Sequence, residues 1–143
     1  MKRLVLAAAV LVCVAISGEA AAQQTSCVRP VAPVFPAIAR AVALSQPQVE
    51  QQRAARDTFF TAADANLICM DQAIDTRVQA LFASGAPMDT AMRQLGLAHE
   101  DASRERAAVY ERFLRLCLAW EDAKHMTLPG GCAPAVQGAS GLQ

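Results

Sequence analysis

The sequence predicts an all-α protein: an antiparallel helical hairpin of two helices, or three if the second breaks, with disulfide-stapled extended arms at both ends. Two long segments carry apolar residues at helical spacing, and a turn containing Gly85 and Pro87 separates them. No useful stretch alternates apolar and polar residues as a β-strand does. The expected divisions are a signal peptide (1–22), a Pro-rich extended arm (23–45), the helical hairpin domain (46–126), and a C-terminal arm and tail (127–143).

The first residues have the pattern of a secretory signal peptide. Lys2 and Arg3 form a positive start, Leu4–Ile16 is an apolar run, and Ala20–Ala22 supplies small side chains before the cleavage point. The apolar run would cover about 20 Å as a helix, well short of a hydrocarbon core of about 30 Å. The sequence therefore predicts a periplasmic or secreted protein with no membrane span after cleavage.

The composition excludes several classes of protein. The chain of 143 residues is 54% hydrophobic and 18% charged, with 7 Gly and 7 Pro, which is unlike a disordered or collagen-like chain. Its formal net charge is zero, so it lacks the basic surface that nucleic acid or anionic lipid would require. We therefore expect no nucleic-acid partner.

The arm that follows the signal peptide carries a proline at every third position. Pro30, Pro33 and Pro36 each fix φ and remove a backbone donor, which predicts an extended, polyproline-II-like arm. Such an arm could serve as a ligand for an SH3-type domain. We favour the simpler interpretation, in which the arm packs on its own domain and is held there by Cys27. The segment Ala37–Leu44 is expected to form a short helical turn.

The first long helix is predicted to begin at Ser45, which forms a capping-box pattern with Gln48. Gly85 is a suitable C-cap, and Pro87 prevents the helix from continuing. Apolar residues spaced by three and four positions predict one buried face, while polar residues are expected on the opposite side. The apolar residues are Phe59, Ala63, Leu67, Met70, Ile74, Val78 and Leu81. The polar residues are Arg56, Asp64, Asp71 and Asp75.

The second long helix is predicted to begin near Pro87–Asp89 and to run to about Met126. Gly96 is its weak point, because glycine lowers helix stability and could split off a short helix. Leu128–Gly131 ends it. Its predicted apolar face consists of Met88, Met92, Leu95, Ala102, Val109, Phe113, Leu116 and Trp120.

Cys27, Cys69, Cys117 and Cys132 follow the signal peptide and predict two disulfides in an oxidising compartment. Their spacing fits neither a redox pair nor a zinc site. A turn near residue 86 would separate Cys69 from Cys117 by about 20 Å along the hairpin. This favours Cys27–Cys69 with Cys117–Cys132. A helix break at Gly96 would instead make Cys69–Cys117 with Cys27–Cys132 reasonable.

One resemblance concerns the first two of these cysteines. A Cys-x-x-Pro arm, Cys27–Pro30, is followed by a capped helix that carries Phe59 and Phe60 and then Cys69. This arrangement resembles small exported proteobacterial proteins of unknown function. The likeness spans residues 27–75 and implies a Cys27–Cys69 pair. It implies no activity and no functional residues.

The sequence predicts no catalytic, cofactor-binding or metal-ligating residues. His99 and Glu100 begin a zinc-protease pattern, but the position that requires a second histidine is Ser103. Asp71 and Asp75 fall on one helix face, where a solvated surface is the simpler interpretation than an acid/base pair. We therefore expect a non-enzymatic protein without a cofactor.

Two hypotheses about function remain. The first is a protein- or envelope-interaction module, with a homodimer or an unknown periplasmic protein as the partner. Its apolar surface would come from methionines and phenylalanines of both helices, namely Met70, Met88, Met92, Phe59, Phe60 and Phe82. The alternative is a periplasmic metal- or small-ligand-binding factor that uses His125, Met126 and neighbouring methionines.

Overall fold

The computed structural model describes residues 27–133 and has three helical elements. A 3-10 helix spans Ile38–Ala43, and two long α-helices follow, α1 at Gln46–Ser84 and α2 at Thr90–Lys124. These residues include no β-strand, and α1 and α2 pack together. The all-α hairpin with stapled arms is therefore confirmed. The predicted signal peptide and the part of the tail after residue 133 lie outside the described residues.

The boundaries of α1 follow from its terminal residues. Ser45 is the N-cap, and its backbone N–H donates to Gln48 Oε1 at 2.8 Å, as the capping-box pattern predicts. At the other end, Gly85 adopts a left-handed conformation with φ of +64°. Its N–H donates to the Phe82 carbonyl, which would otherwise lack a partner.

The second long helix is continuous through Gly96. Asp89 is its N-cap and accepts a hydrogen bond from the Met92 backbone N–H at 2.9 Å. The helix ends at Lys124, two residues before the expected end, and His125 caps it in a left-handed conformation. The penalty for one glycine, about 1 kcal/mol, is too small to break a helix that is packed on α1. The hairpin therefore has two long helices.

The turn between the helices fixes the register of the hairpin. Arg106 Nε contacts Asp64 Oδ1 at 2.6 Å, and His99 Nε2 contacts Asp71 Oδ1 at 3.1 Å. Both pairs place the centre of the hairpin at Gly85, close to the predicted turn.

This register decides the disulfide pairing. Cys27 bonds to Cys69 and Cys117 bonds to Cys132, with Cα–Cα distances of 5.7 and 5.6 Å. The favoured pairing is confirmed, and the alternative pairing is wrong because the helix does not break at Gly96.

The buried core occupies only one end of the hairpin. Among residues 27–133, every side chain that is fully buried lies outside 71–108. We call 71–108, which contains the turn, the distal half, and the rest the proximal half. In the proximal half the 3-10 helix adds a third element against α2. Phe35 of the arm packs on Phe113 with ring centroids 5.8 Å apart, and Trp120 Nε1 donates to the Leu44 carbonyl.

Arg56 departs from the prediction. The sequence pattern predicts it on the polar face of α1, yet it is 1% exposed. Its Nη1 donates to the Cys132 carbonyl at 2.7 Å, its Nε donates to Asp57 at 2.8 Å, and its guanidinium lies 4.4 Å from the centre of the Phe113 ring. Cys132 lies in the C-terminal loop, residues 125–133, and Arg53 donates to the Pro129 carbonyl of this loop. The C-terminal loop covers this face of α1, which explains why a cation is buried there.

Candidate functional site

An open apolar groove lies at the tip of the distal half. We call it the distal groove; its volume is about 380 Å³. At this end of the hairpin only α1 and α2 are present, and no third element packs on the groove within residues 27–133. It is lined by Val78, Leu81, Phe82, Gly85, Ala86, Met88 and Met92. Phe82 is 84% exposed and Met88 is 64% exposed, which is unusual for large apolar residues that line one groove.

The predicted apolar surface is divided between the two halves of the hairpin. Phe59, Phe60 and Met70 are buried in the proximal half, where they stabilise the fold. Phe82 and Met88 are exposed in the distal half. The interaction surface suggested by the sequence is therefore confined to the tip, because the buried contacts of the arm and the 3-10 helix lie at the other end.

One ion pair lies beside the distal groove. Arg77 forms an ion pair with Asp89, the N-cap of α2. The Nε of Arg77 is buried and has no hydrogen-bond partner among residues 27–133. Such a donor costs free energy unless an acceptor reaches it. The lining of the groove itself includes no charged residue.

The residues considered for metal binding are not assembled into a site. Met88 immediately precedes the N-cap of α2, and Met92 lies in its first turn. His125 and Met126 follow the other end of α2, about 50 Å away along the helix axis. Among residues 27–133, one group has metal-ligand spacing, formed by Cys117, Glu121 and Cys132. Both of its cysteines are bonded to each other, so their sulfur atoms are not thiolates.

The carboxylates and histidines singled out in the sequence lie at the surface of the hairpin. Asp71 is exposed and pairs with His99, and Asp75 is exposed. The hydrogen bond to Asp101, with the charge of Glu100, raises the pKa of the exposed Arg104 above its ordinary value. This arrangement keeps a surface cation charged.

No protein-family model, curated protein or solved structure matches this chain. The resemblance of residues 27–75 to exported proteobacterial proteins therefore stays a prediction. Function has to be inferred from the surfaces of the molecule itself.

Proposed function

We propose that this chain is an exported, non-enzymatic interaction module that pairs with a second copy of itself through the distal groove. The observation that carries the proposal is the uneven core: the distal half holds no fully buried side chain within 71–108, yet it carries large exposed apolar residues. Two disulfides fit an oxidising compartment, and we assign the protein to the periplasm or the extracellular space. Within residues 27–133, no helix is long and apolar enough to cross a bilayer.

The charges at the tip favour a second copy as the occupant. A symmetric dimer brings the same surface of two molecules together, so any excess charge would meet its own sign. Here Arg77 and Asp89 neutralise each other beside the groove. The apolar walls from Leu81, Phe82 and Met88 can therefore face an identical set without repulsion.

The size of the surface indicates a weak dimer. The longer helical segment of the distal half, 90–108, is about 28 Å long, and two adjacent helices are about 20 Å wide. One copy would therefore bury about 500 Å², or about 1,000 Å² for the pair. This is slightly below the range of about 1,200–2,000 Å² for stable interfaces. We therefore expect a dimer with a dissociation constant in the micromolar range.

Analytical ultracentrifugation of the oxidised mature protein tests this proposal. We expect a concentration-dependent monomer–dimer equilibrium, and Phe82→Asp should raise the dissociation constant by at least about tenfold by placing a charge in the apolar contact. Leu118→Asp is the matched control, because Leu118 is 50% exposed on α2 in the proximal half. A strictly monomeric wild type at millimolar concentration, or an equal effect of both variants, would overturn the proposal.

Export is tested separately. N-terminal sequencing of protein recovered from the periplasmic or culture fraction should begin at Gln23, after the predicted cleavage point. Retention of Met1 in a cytoplasmic fraction would contradict export without bearing on self-association.

A further inference from the structure

A second groove lies beside the N-terminal staple, between the extended arm and α1. We call it the arm groove; its volume is about 280 Å³. Its walls are small or apolar, apart from one carboxamide. It is lined by Val28, Pro30, Ala62, Ala65, Asn66 and Cys69. None of these residues lies in the distal half, so the arm groove is separate from the proposed dimer surface.

Asn66 is the polar group of the arm groove. It is only 4% exposed, and its carboxamide makes no hydrogen bond to any other group within residues 27–133. Asn66 lines the groove, and its polar atoms are not among the fully buried atoms without a partner, so they keep some contact with solvent. With most of its side chain buried, this carboxamide has limited access to water and no protein partner among the described residues, so a ligand can hydrogen-bond to it without displacing a protein contact. The groove therefore contains a donor and an acceptor that are available to a ligand.

The arm forms a fixed wall of this groove. The Cys27–Cys69 disulfide attaches the start of the arm to α1. Arg29 Nη2 forms an ion pair with Glu105 Oε2 at 2.9 Å. At the far end of the arm, Phe35 packs on Phe113. An arm held at three points loses little further conformational freedom when a ligand binds beside it.

The arm also exposes an apolar ridge. Val28, Val31 and Val34 are 82%, 92% and 91% exposed, while Ala32 and Phe35, which each follow an exposed valine, pack inward. An exposure period of three residues matches the three-residue turn of a polyproline-II helix. Val28 belongs both to this ridge and to the wall of the arm groove, so one ligand can contact both.

We propose that the arm groove binds an extended, apolar peptide segment of another polypeptide, with one of its peptide groups hydrogen-bonded to Asn66. A carboxamide presents an N–H donor and a C=O acceptor in one plane, which is the complement of a peptide group. The volume is just below the range of small-molecule pockets and suits one or two small apolar side chains. No charged residue lines the groove, so a neutral peptide fits better than a charged ligand. This inference does not depend on the proposed dimer.

Asn66 allows a direct test, because it is the single asparagine of the chain. Mature oxidised protein labelled with 15N-asparagine gives one side-chain NH2 pair in an NMR spectrum. The probe is the blocked peptide Ac-Ala-Val-Pro-Val-Ala-NH2, whose proline favours an extended backbone. We expect a saturable shift of the Asn66 NH2 signals on titration. In uniformly labelled protein, the Val28 amide should shift with the same dissociation constant.

Two matched variants on α1 distinguish the groove from general surface binding. Ala62→Leu fills the groove and should weaken peptide binding at least about tenfold. Ala54→Leu is the control, since Ala54 is also exposed on α1 but does not line the groove, and it should bind as the wild type does. Neither substitution touches the buried core, so both variants should fold.

Several outcomes would overturn the inference. One is the absence of any shift of the Asn66 NH2 signals at millimolar peptide, and another is equal weakening by Ala62→Leu and Ala54→Leu. Shifts confined to Phe82 and its neighbours would assign the peptide to the distal groove. If a chain that ends at Ala133 shows shifted Asn66 signals before peptide is added, the groove is filled by the chain's own C-terminus and not by a partner.

Discussion

Replacing Arg56 with alanine should destabilise the protein by about 3 kcal/mol, even though the sequence alone makes this residue look replaceable. The substitution removes the donor from the Cys132 carbonyl, which costs about 2 kcal/mol for a buried acceptor. It removes a cation 4.4 Å from the Phe113 ring, worth about 2 kcal/mol when desolvated. Loss of the two buried methylene groups beyond Cβ adds about 2 kcal/mol. Rotamer entropy and the regained hydration of the charge offset about half of this sum.

Urea unfolding followed by the fluorescence of Trp120 measures this loss. Trp120 is the single tryptophan of the chain and is 1% exposed, so its emission reports on the proximal core. With a slope of about 1.5 kcal/mol per molar urea, the midpoint should fall by about 2 M. Arg56→Met keeps the buried stem but loses both the donor and the cation, and its midpoint should fall by about two-thirds as much.

Arg53→Ala is the matched control for this prediction. Arg53 also donates to a carbonyl of the C-terminal loop, but its bond to Pro129 is exposed to solvent. Water can replace an exposed donor, so we expect a loss below about 1 kcal/mol. If Arg56→Ala and Arg53→Ala have the same effect, the argument from the burial of Arg56 is refuted.

Three further predictions concern glycines and a staple. Gly96→Ala should raise the stability by about 0.5–1 kcal/mol in thermal unfolding, because a Cβ there meets no other atom; a lower melting temperature would contradict it. Gly130→Ala should cost more than Gly131→Ala in urea unfolding. Both have positive φ, but only at Gly130 would a Cβ approach Arg53 Nη1 to 2.9 Å; equal costs would show that Arg53 moves freely. Removing the Cys27–Cys69 disulfide by double alanine substitution should cost about 4 kcal/mol, since it closes a 42-residue separation, and an unchanged urea midpoint would disprove this.

Much of the fold could be predicted because its determinants are local. Ser45 and Gly85 mark the ends of α1 through capping chemistry that involves only adjacent residues. The position of Gly85 then sets the register, and the register decides between the disulfide pairings. Gly96 left this choice open in the sequence, because its propensity cost is known but the packing that opposes it is not visible there.

The burial of Arg56 and Asn66 was not predictable in the same way. Both are polar, and the apolar periodicity of α1 predicts Arg56 on the solvated face. Each is placed on the buried side of α1 by contacts with distant segments. Arg56 bonds to a carbonyl 76 residues away, and Asn66 lies under the N-terminal arm. Hydrophobic periodicity describes one helix at a time, so it does not show which distant segments pack over that helix.

The attachment points of the two disulfides also divide the molecule into two parts that differ in the free energy of local unfolding. The disulfides attach to the hairpin at Cys69 and Cys117, so neither crosses the distal half between them. Backbone amides of 71–108 should therefore exchange with solvent through local openings that cost less free energy than global unfolding. A partner that binds the tip would close these openings. Slower amide exchange across the distal half would thus accompany association, while the proximal half, already held by its core and staples, would exchange at an unchanged rate.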